Sequence, residues 1–370
     1  MKILIFSERD IEHPWGGGSP INIHEQAKRW VAMGHEVTML TTRPKGAAFR
    51  ANIDGLNVFR AGNRYTVYFC AAFLYLIGLR KRADVVIDII NGIPFFTPLF
   101  SRRPKLAILH HVHREMFIIE LGPYLGRFGR AIEQYVVPIM YRHVPFITSS
   151  MSTLTHMRKL LYRGDRLNVS VVYNGIDHDF YVTTSEKKER PTVLYLGRVK
   201  KYKRVTLLIR MMERVRKEIP DAELIIAGGG DAVQDGQEAV ERLGASEYVH
   251  FLGWVSEEEK LSLYQTVWTI ASASLVEGWG LTVVEANAAG TPAVAFDVPG
   301  LNESIKHGET GLLARDEDEF VSHLIELLSD ESRRSTLRRG AINWASEFDW
   351  DNTAKQTILA LEEAIEASSK

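Results

Sequence analysis

Two glutamates with seven residues between them, Glu277 and Glu285, frame the glycine-rich run LVEGWGLTVVEANAAGTP at 275–292. Gly278 and Gly280 leave the backbone free to approach a ligand closely. A helix is expected from Leu281, and its first N–H groups have no partners inside the helix, so its dipole favours an anion there. Glu277 then lies on the loop and Glu285 one turn into the helix. Carboxylates so placed can accept hydrogen bonds from hydroxyls of a sugar and a ribose while the helix end holds phosphate. The plainer alternative is a glycine-rich turn with Glu285 as a solvated helix residue. A second cluster, LGRVKKYKRV at 196–205, crowds Arg198, Lys200, Lys201, Lys203 and Arg204 into one turn. Such a cluster is costly unless solvated or facing an anion. Arg198 offers a planar fork for phosphate oxygens and Lys203 a mobile point charge.

Two further stretches carry weaker signals. PWGGGSPINIHEQ at 14–26 has three consecutive glycines, Gly16, Gly17 and Gly18, but they are followed by Ser19, Pro20 and Ile21. The dinucleotide pattern G-x-G-x-x-G is therefore poorly matched. LHHVHREMF at 109–117 holds His110, His111 and His113 at the end of an expected strand. Zinc on a helix would need H-E-x-x-H, which is absent, so an imidazole that binds a hydroxyl is the better reading, and no metal is expected. Asp177-His178-Asp179 and Asp316-Glu317-Asp318 fit a D-x-D pattern. That pattern arises readily by chance, and the second sits where acids favour the start of a helix. No GxSxG and no phosphate-loop motif occurs.

These residues need elements to hold them. Short apolar runs at Ile3–Phe6, Glu36–Leu40, Asp84–Ile90, Leu106–His110 and Val144–Thr148 read as strands, with a helical pattern at Asn22–Met33 closed by Gly34. The charged stretch Asp179–Pro191 reads as a linker. Strands then return at Val193–Leu196, Glu223–Ala227, Tyr248–Phe251, Trp268–Ala271 and Ala293–Phe296, with helices expected at Val205–Glu218, Val233–Leu243, Glu257–Gln265 and Leu281–Ala289. Thr353–Ala367 reads as one more amphipathic helix. Alternation of this kind demands parallel sheets with crossover helices, that is, two α/β halves. A chain of 370 residues also exceeds what one core usually serves. In such sheets ligands bind beyond the carboxyl ends of the strands.

Composition excludes several classes. With 45% hydrophobic and 25% charged residues, the chain is neither disordered nor fibrous. Lys and Arg number 45 against 46 Asp and Glu, so no global pull toward nucleic acid exists, and none is expected as a partner. The lone Cys70 cannot form an intrachain disulfide, which suits a reducing, cytoplasmic setting. The apolar run Ile3–Phe6 is too short for a signal peptide. Tyr65–Leu79 is the longest apolar stretch and ends at Arg80-Lys81-Arg82. It falls short of the ~20 residues that span a bilayer. Two readings stand: a buried core helix, or a surface resting on the inner face of the cell membrane.

Taken in order, EGWGLTVVE with ANAAGTPAVAFDVPGLNESI and GETGLL, GRVKKYK, the glycine loop with AMGHEVTMLTT, and VVYNGID resemble glycosyltransferase family 4, retaining nucleotide-sugar transferases of the GT-B fold. The resemblance spans essentially the whole chain. It implies two Rossmann-like domains facing across a cleft: an acceptor-side domain over 1–180, joined by a returning helix at 350–370, and a nucleotide-sugar domain over 188–349. It implies that Arg198 and Lys203 bind the donor diphosphate, Glu285 the ribose, and Glu277 the transferred sugar. The backbone of Gly278, Trp279, Gly280, Leu281, Thr282 and Val283 would cover phosphate and sugar. Gly16, Gly17 and Gly18 would close on the diphosphate, and His110 would contact the sugar near its anomeric carbon, with His111 as the alternative register. No cofactor or metal is implied: fixed cations and a helix end stabilise the leaving diphosphate, and the acceptor attacks from the same face. The donor, UDP-glucose or GDP-mannose, and the acceptor, a sugar, glycolipid or small molecule, stay open, as does the oligomeric state. The alternative is a non-transferase nucleotide-sugar enzyme of the same fold, such as an epimerase.

Overall fold

The computed structural model describes residues 1–161, 167–184 and 186–369. The chain forms two compact units, Met1–Gly175 with Trp350–Lys370, and Ile176–Asp349.

In the first unit the strands are β1 (Lys2–Phe6), β2 (Glu36–Thr41), β3 (Arg50–Ile53), β4 (Leu56–Arg60), β5 (Val85–Ile90), β6 (Lys105–Leu109), β7 (Phe146–Thr148) and β8 (Val169–Val171). They form one sheet in the order β3-β4-β2-β1-β5-β6-β7-β8, parallel except for the β3–β4 hairpin. The helices are α1 (Gly18–Ala32), α2 (Val67–Ile77), α3 (Glu115–Ala131, broken at Gly122), α4 (Val137–Met140) and α5 (Met151–His156). A π-helical turn, Ile132–Val136, links α3 to α4. Strand alternation splits the core. Ile3, Ile5, Met39 and Ile87 meet α1 on one face. Leu4, Phe6, Leu40 and Val86 meet α2 on the other.

The second unit holds β9 (Thr192–Leu196), β10 (Glu223–Ala227), β11 (Val249–Gly253), β12 (Thr269–Ser272), β13 (Ala293–Phe296) and β14 (Gly311–Ala314) in the parallel order β11-β10-β9-β12-β13-β14. Its helices are α6 (Val205–Glu218), α7 (Val233–Leu243), α8 (Glu257–Thr266), α9 (Leu281–Ala288), α10 (Leu301–Ser304), α11 (Glu317–Ser329) and α12 (Glu331–Ala345). α6 shows why such segments fold as they do. Val205, Leu208, Met212 and Val215 recur at helical spacing and are buried on the sheet; each such side chain contributes roughly 1.5–3 kcal/mol on burial. The last helix, α13 (Trp350–Ser369), packs in the first unit. There Trp30 Nε1 donates to the Ala354 carbonyl at 3.0 Å and Thr353 Oγ1 to the Tyr173 carbonyl at 2.8 Å.

Strand order reverses at β1/β5 in the first sheet and at β9/β12 in the second. Adjacent strand ends there leave a crevice, and ligands of open α/β sheets bind at it. The loops after β1, β5, β9 and β12 are therefore the places to look for chemistry.

Several expectations need correction. The charged stretch at 179–191 is not a free linker, and the units divide at Gly175/Ile176. Lys187 Nζ donates to the carbonyls of Gln265 and Val267, both at 2.8 Å, and to Thr291 Oγ1 at 2.9 Å. Three acceptors anchor that lysine to the second unit, which outweighs the polar composition of its neighbours; Ser185 in this stretch lies outside the described residues. α1 begins at Gly18, one turn before Asn22. Strands β3, β4, β8 and β14 are not among the expected runs. Nor is α2 a buried core helix: Val67, Ala71 and Tyr75 are buried, but Phe69, Phe73, Leu76 and Ile77 are exposed.

Candidate active site

In the second unit the loops after β9 and β12 are tied together. Leu275 N donates to the Tyr202 carbonyl at 3.0 Å, and Arg204 Nε to the Ala273 carbonyl at 2.6 Å. Lys203 Nζ donates to Glu277 Oε1 in a tight ion pair, and Ser274 Oγ donates to the same oxygen at 2.7 Å. Burial works against the Lys203 charge, but the Glu277 carboxylate outweighs it and holds the ammonium above its ordinary pKa. Arg198, on the same loop, is half-buried, and Tyr195 fixes its backbone by donating to the Arg198 carbonyl at 2.7 Å.

Three residues past Glu277 the chain turns into α9. Gly280, at φ 85°, caps that helix, and a Cβ there would come within 2.9 Å of Leu301 and Ser304. Only glycine lets the turn close so tightly. Leu281 and Thr282 are partly exposed at the helix start, where N–H groups lack intrahelical acceptors. Trp279 and Val283 are buried, Trp279 edge-on to Phe348 with ring centres 5.1 Å apart. Of these two residues, then, the backbone rather than the side chain is available to a ligand.

Glu285 does stand one turn into α9, but it is not solvated. Tyr264 OH donates to Oε2 at 2.9 Å and Lys260 Nζ to Oε1 at 3.5 Å. Lys260 also pairs with Glu257 at 2.6 Å. Burial opposes the Lys260 charge and the two carboxylates override it, raising its pKa; burial and Glu285 together push the Tyr264 phenol well above its ordinary value. Each glutamate of the pair thus carries its own lysine.

In the first unit, Gly16 (φ 40°) and Gly17 (φ 115°) make the turn that leads straight into α1, with Gly18 its first residue. Arg9 Nη1 donates to the Gly16 carbonyl at 2.9 Å, and Asn91 Nδ2, just past β5, to Ser19 Oγ at 3.0 Å. The glycine loop is thereby pinned at the strand-order reversal with a helix N-terminus behind it. His110 follows β6 directly. Its carbonyl accepts from Thr153 Oγ1 at 3.0 Å, and its Nε2 is enclosed with no hydrogen-bond partner among the described residues. Burial, with His113 nearby, lowers its pKa to about 4, so the imidazole is neutral at neutral pH. His111 is engaged otherwise: its ring lies 4.1 Å from that of His113.

The D-x-D patterns are turn and cap residues. Asp177 Oδ1 accepts from the N–H groups of Asp179 and Phe180, and Asp316 Oδ1 from that of Glu319 at the start of α11. Among the described residues no three His, Cys, Asp or Glu side chains converge as a metal site would require.

The family model for glycosyl transferases group 1 matches residues 180–344, and that for Glycosyltransferase Family 4 matches residues 16–180. The chain belongs to glycosyltransferase family 4. Over 95% of its length the transferase is 27% identical to an uncharacterized glycosyltransferase of Methanocaldococcus jannaschii, 95% of which is covered. It is 31% identical to the D-inositol 3-phosphate glycosyltransferase of Corynebacterium aurimucosum, over 51% of this chain and 50% of that one, so it spans about half the length of that relative. Its GT-B fold is shared with sucrose-phosphate synthase of Thermosynechococcus elongatus, at a TM-score of 0.84, 19% identity and 99% coverage of both chains. It is shared too with Anabaena HepE, solved in complex with UDP and glucose, at a TM-score of 0.76 and 19% identity over 98% of this chain and 100% of that one.

Sequence reasoning missed the supports of this transferase's site. Lys260 and Tyr264 face Glu285 from α8, and Ser274 supports Glu277. Buried Glu133, on the π-helical turn, accepts from His113 N at 2.7 Å and Arg114 N at 2.9 Å and so holds the loop after β6. For Lys260 and Tyr264 a signal existed: they lie four apart on one helix face, behind the Ser256–Glu259 capping box that starts α8. For Glu133 there was none, because a buried acid looks like any other in sequence.

Proposed function

We propose that this transferase moves a hexose from a UDP- or GDP-sugar to a hydroxyl acceptor with retention at the anomeric carbon, using neither a bound metal nor a cofactor. The observation that carries the reading is the joining of two loops at the strand-order reversal, which sets Lys203 and Arg198 beside Glu277 and the N-terminus of α9. As the anomeric C–O bond breaks, the sugar gains oxocarbenium character and the diphosphate gains negative charge. Arg198, Lys203 and the α9 N–H groups stabilise that charge from fixed positions. Glu277, released from Lys203 when the diphosphate takes the lysine, accepts from the transferred sugar. Glu285 accepts from the ribose. The acceptor hydroxyl attacks the face the diphosphate leaves, and its proton passes to a diphosphate oxygen, so the new C–O bond keeps the anomeric configuration.

The glycine loop Gly16–Gly18 offers backbone N–H groups to phosphate, and the neutral His110 imidazole can hydrogen-bond a sugar hydroxyl without adding charge. The test is a screen of UDP- and GDP-hexoses for slow donor hydrolysis and thermal stabilisation, followed by NMR of the glycoside or released sugar. One or more donors should be turned over with the donor's anomeric configuration kept in the first-formed product. An inverted product overturns the same-face mechanism, and failure of every nucleotide sugar to bind overturns the donor class.

A further inference from the structure

Helix α2 is apolar on every side, a composition that suits a helix covered all round. Yet it lies on the surface of the first unit with only one stripe covered. Val67, Ala71 and Tyr75, spaced by four, pack on the sheet. On another stripe, at i, i+4, i+7 and i+8, Phe69 is 79% exposed, Phe73 61%, Leu76 48% and Ile77 64%. Tyr75 joins the helix to the segment beside it: its hydroxyl lies 2.7 Å from Ser101 Oγ, and its ring centre 5.4 Å from that of Phe100. That segment also carries Leu99, 72% exposed.

The charges around this face are mostly basic, although Arg82 has an acid beside it, Glu36 at 3.8 Å. Arg80, Lys81 and Arg82 follow α2 and are exposed, as are Arg102 and Arg103 just past Phe100 and Ser101. Residues 55–83 and 89–114 contain no Asp or Glu. Exposed large apolar side chains bordered mainly by arginine and lysine match a lipid surface of negative charge: the rings enter the acyl boundary and the cations stay with the headgroups. A second protein copy would place these cations against their own kind, and an acidic partner alone would leave the apolar stripe unexplained. Among the described residues no helix is long and apolar enough to cross a membrane. The stripe would therefore lie in the interface plane.

We infer that the outer face of α2, with Leu99 and the basic residues at 80–82 and 102–103, docks the protein on an anionic bilayer. The inference stands apart from the donor chemistry, since binding is read without turnover.

The experiment is co-sedimentation with phosphatidylcholine vesicles containing about 30 mole percent phosphatidylglycerol, at ~20 mM salt, where screening is weak, and again at about 0.5 M. The protein should pellet with anionic vesicles at low salt, less at high salt, and far less with phosphatidylcholine alone. Phe69→Ser with Phe73→Ser should weaken binding by at least about tenfold. Arg80→Gln and Lys81→Gln should each weaken it about fivefold, with the melting temperature of the wild type. No pelleting with anionic vesicles at low salt overturns the inference. So does equal pelleting of the substituted proteins, or a concentration-dependent dimer in sedimentation equilibrium that the Phe69 and Phe73 changes abolish while vesicles stay unbound. A protein that pellets yet hydrolyses no nucleotide sugar sinks the proposed transfer and leaves the docking face standing.

Discussion

Behind the strands of the second sheet, Lys203 is bonded to Glu277 and Lys260 to Glu285. Behind those of the first sheet, His110 is enclosed and neutral, and Arg9 is committed to the Gly16 carbonyl. The second edge pairs each glutamate with a lysine; the first has its own ion pairs, Arg60 with Asp10 and Glu12 of the loop after β1, and offers backbone N–H groups and an uncharged imidazole. A pair can exchange partners: in the proposed transfer an incoming diphosphate would take the lysine and free the carboxylate for a hydroxyl. The glycine loop of the first edge would add only N–H groups to a phosphate, and its uncharged imidazole can hold a sugar without opposing the positive character that develops at its anomeric carbon. On the proposed reading, leaving-group charge falls mainly to the second edge and orientation of the sugar to the first.

The largest effect should come from the second edge. Arg198→Ala and Lys203→Ala should each cost on the order of 2–4 kcal/mol of transition-state stabilisation in kcat/KM, as loss of one preorganised donor does. Steady-state kinetics with the best donor checks this. If His110→Gln cost as much as Arg198→Ala, the division of labour between the edges would fall.

Next come the two glutamates, which are buried to different depths. Glu285→Ala strands the Tyr264 hydroxyl in the interior and leaves the buried Lys260 ammonium to Glu257 alone. It should destabilise folding by about 1–3 kcal/mol in urea unfolding as well as weaken nucleotide binding. Glu277→Ala leaves Lys203 nearer solvent and should act on turnover more than on folding. Equal unfolding midpoints for Glu285→Ala and wild type would erase that contrast.

A smaller effect concerns acid. His110 titrates near 4 in the folded protein, against 6.5 for an ordinary imidazole. Between those values the unfolded chain takes up the proton first, so stability is retained above about 6.5 and drains as pH falls toward 4. His110→Gln should show a smaller drop in melting temperature from pH 7 to pH 4.5 than wild type. An identical drop would mean that His110 is not held neutral. The smallest effect is expected from chelation: with the positive charge supplied by Arg198, Lys203 and α9, turnover should be unchanged in excess EDTA. Loss of activity restored by Mg²⁺ would move leaving-group stabilisation from those residues to an ion.

The strands β1, β2, β5, β9, β10 and β13 and the helices α6 and α7 could be read from the chain, because apolar spacing and turn residues are local properties. So could the loop position of Glu277 and the helix position of Glu285, since Gly280 marks the boundary between them. Local spacing could not say which lysine neutralises which glutamate. Lys203 reaches Glu277 across 74 residues, and Lys260 reaches Glu285 across 25, distances closed only by sheet order. The charged stretch around Lys187 read as a linker because composition says nothing of the three oxygens that anchor its ammonium. In α2 periodicity was silent for a different reason. A helix apolar on every side has no polar face to mark its solvent side, so which stripe was buried and which left bare was decided by packing against the sheet alone.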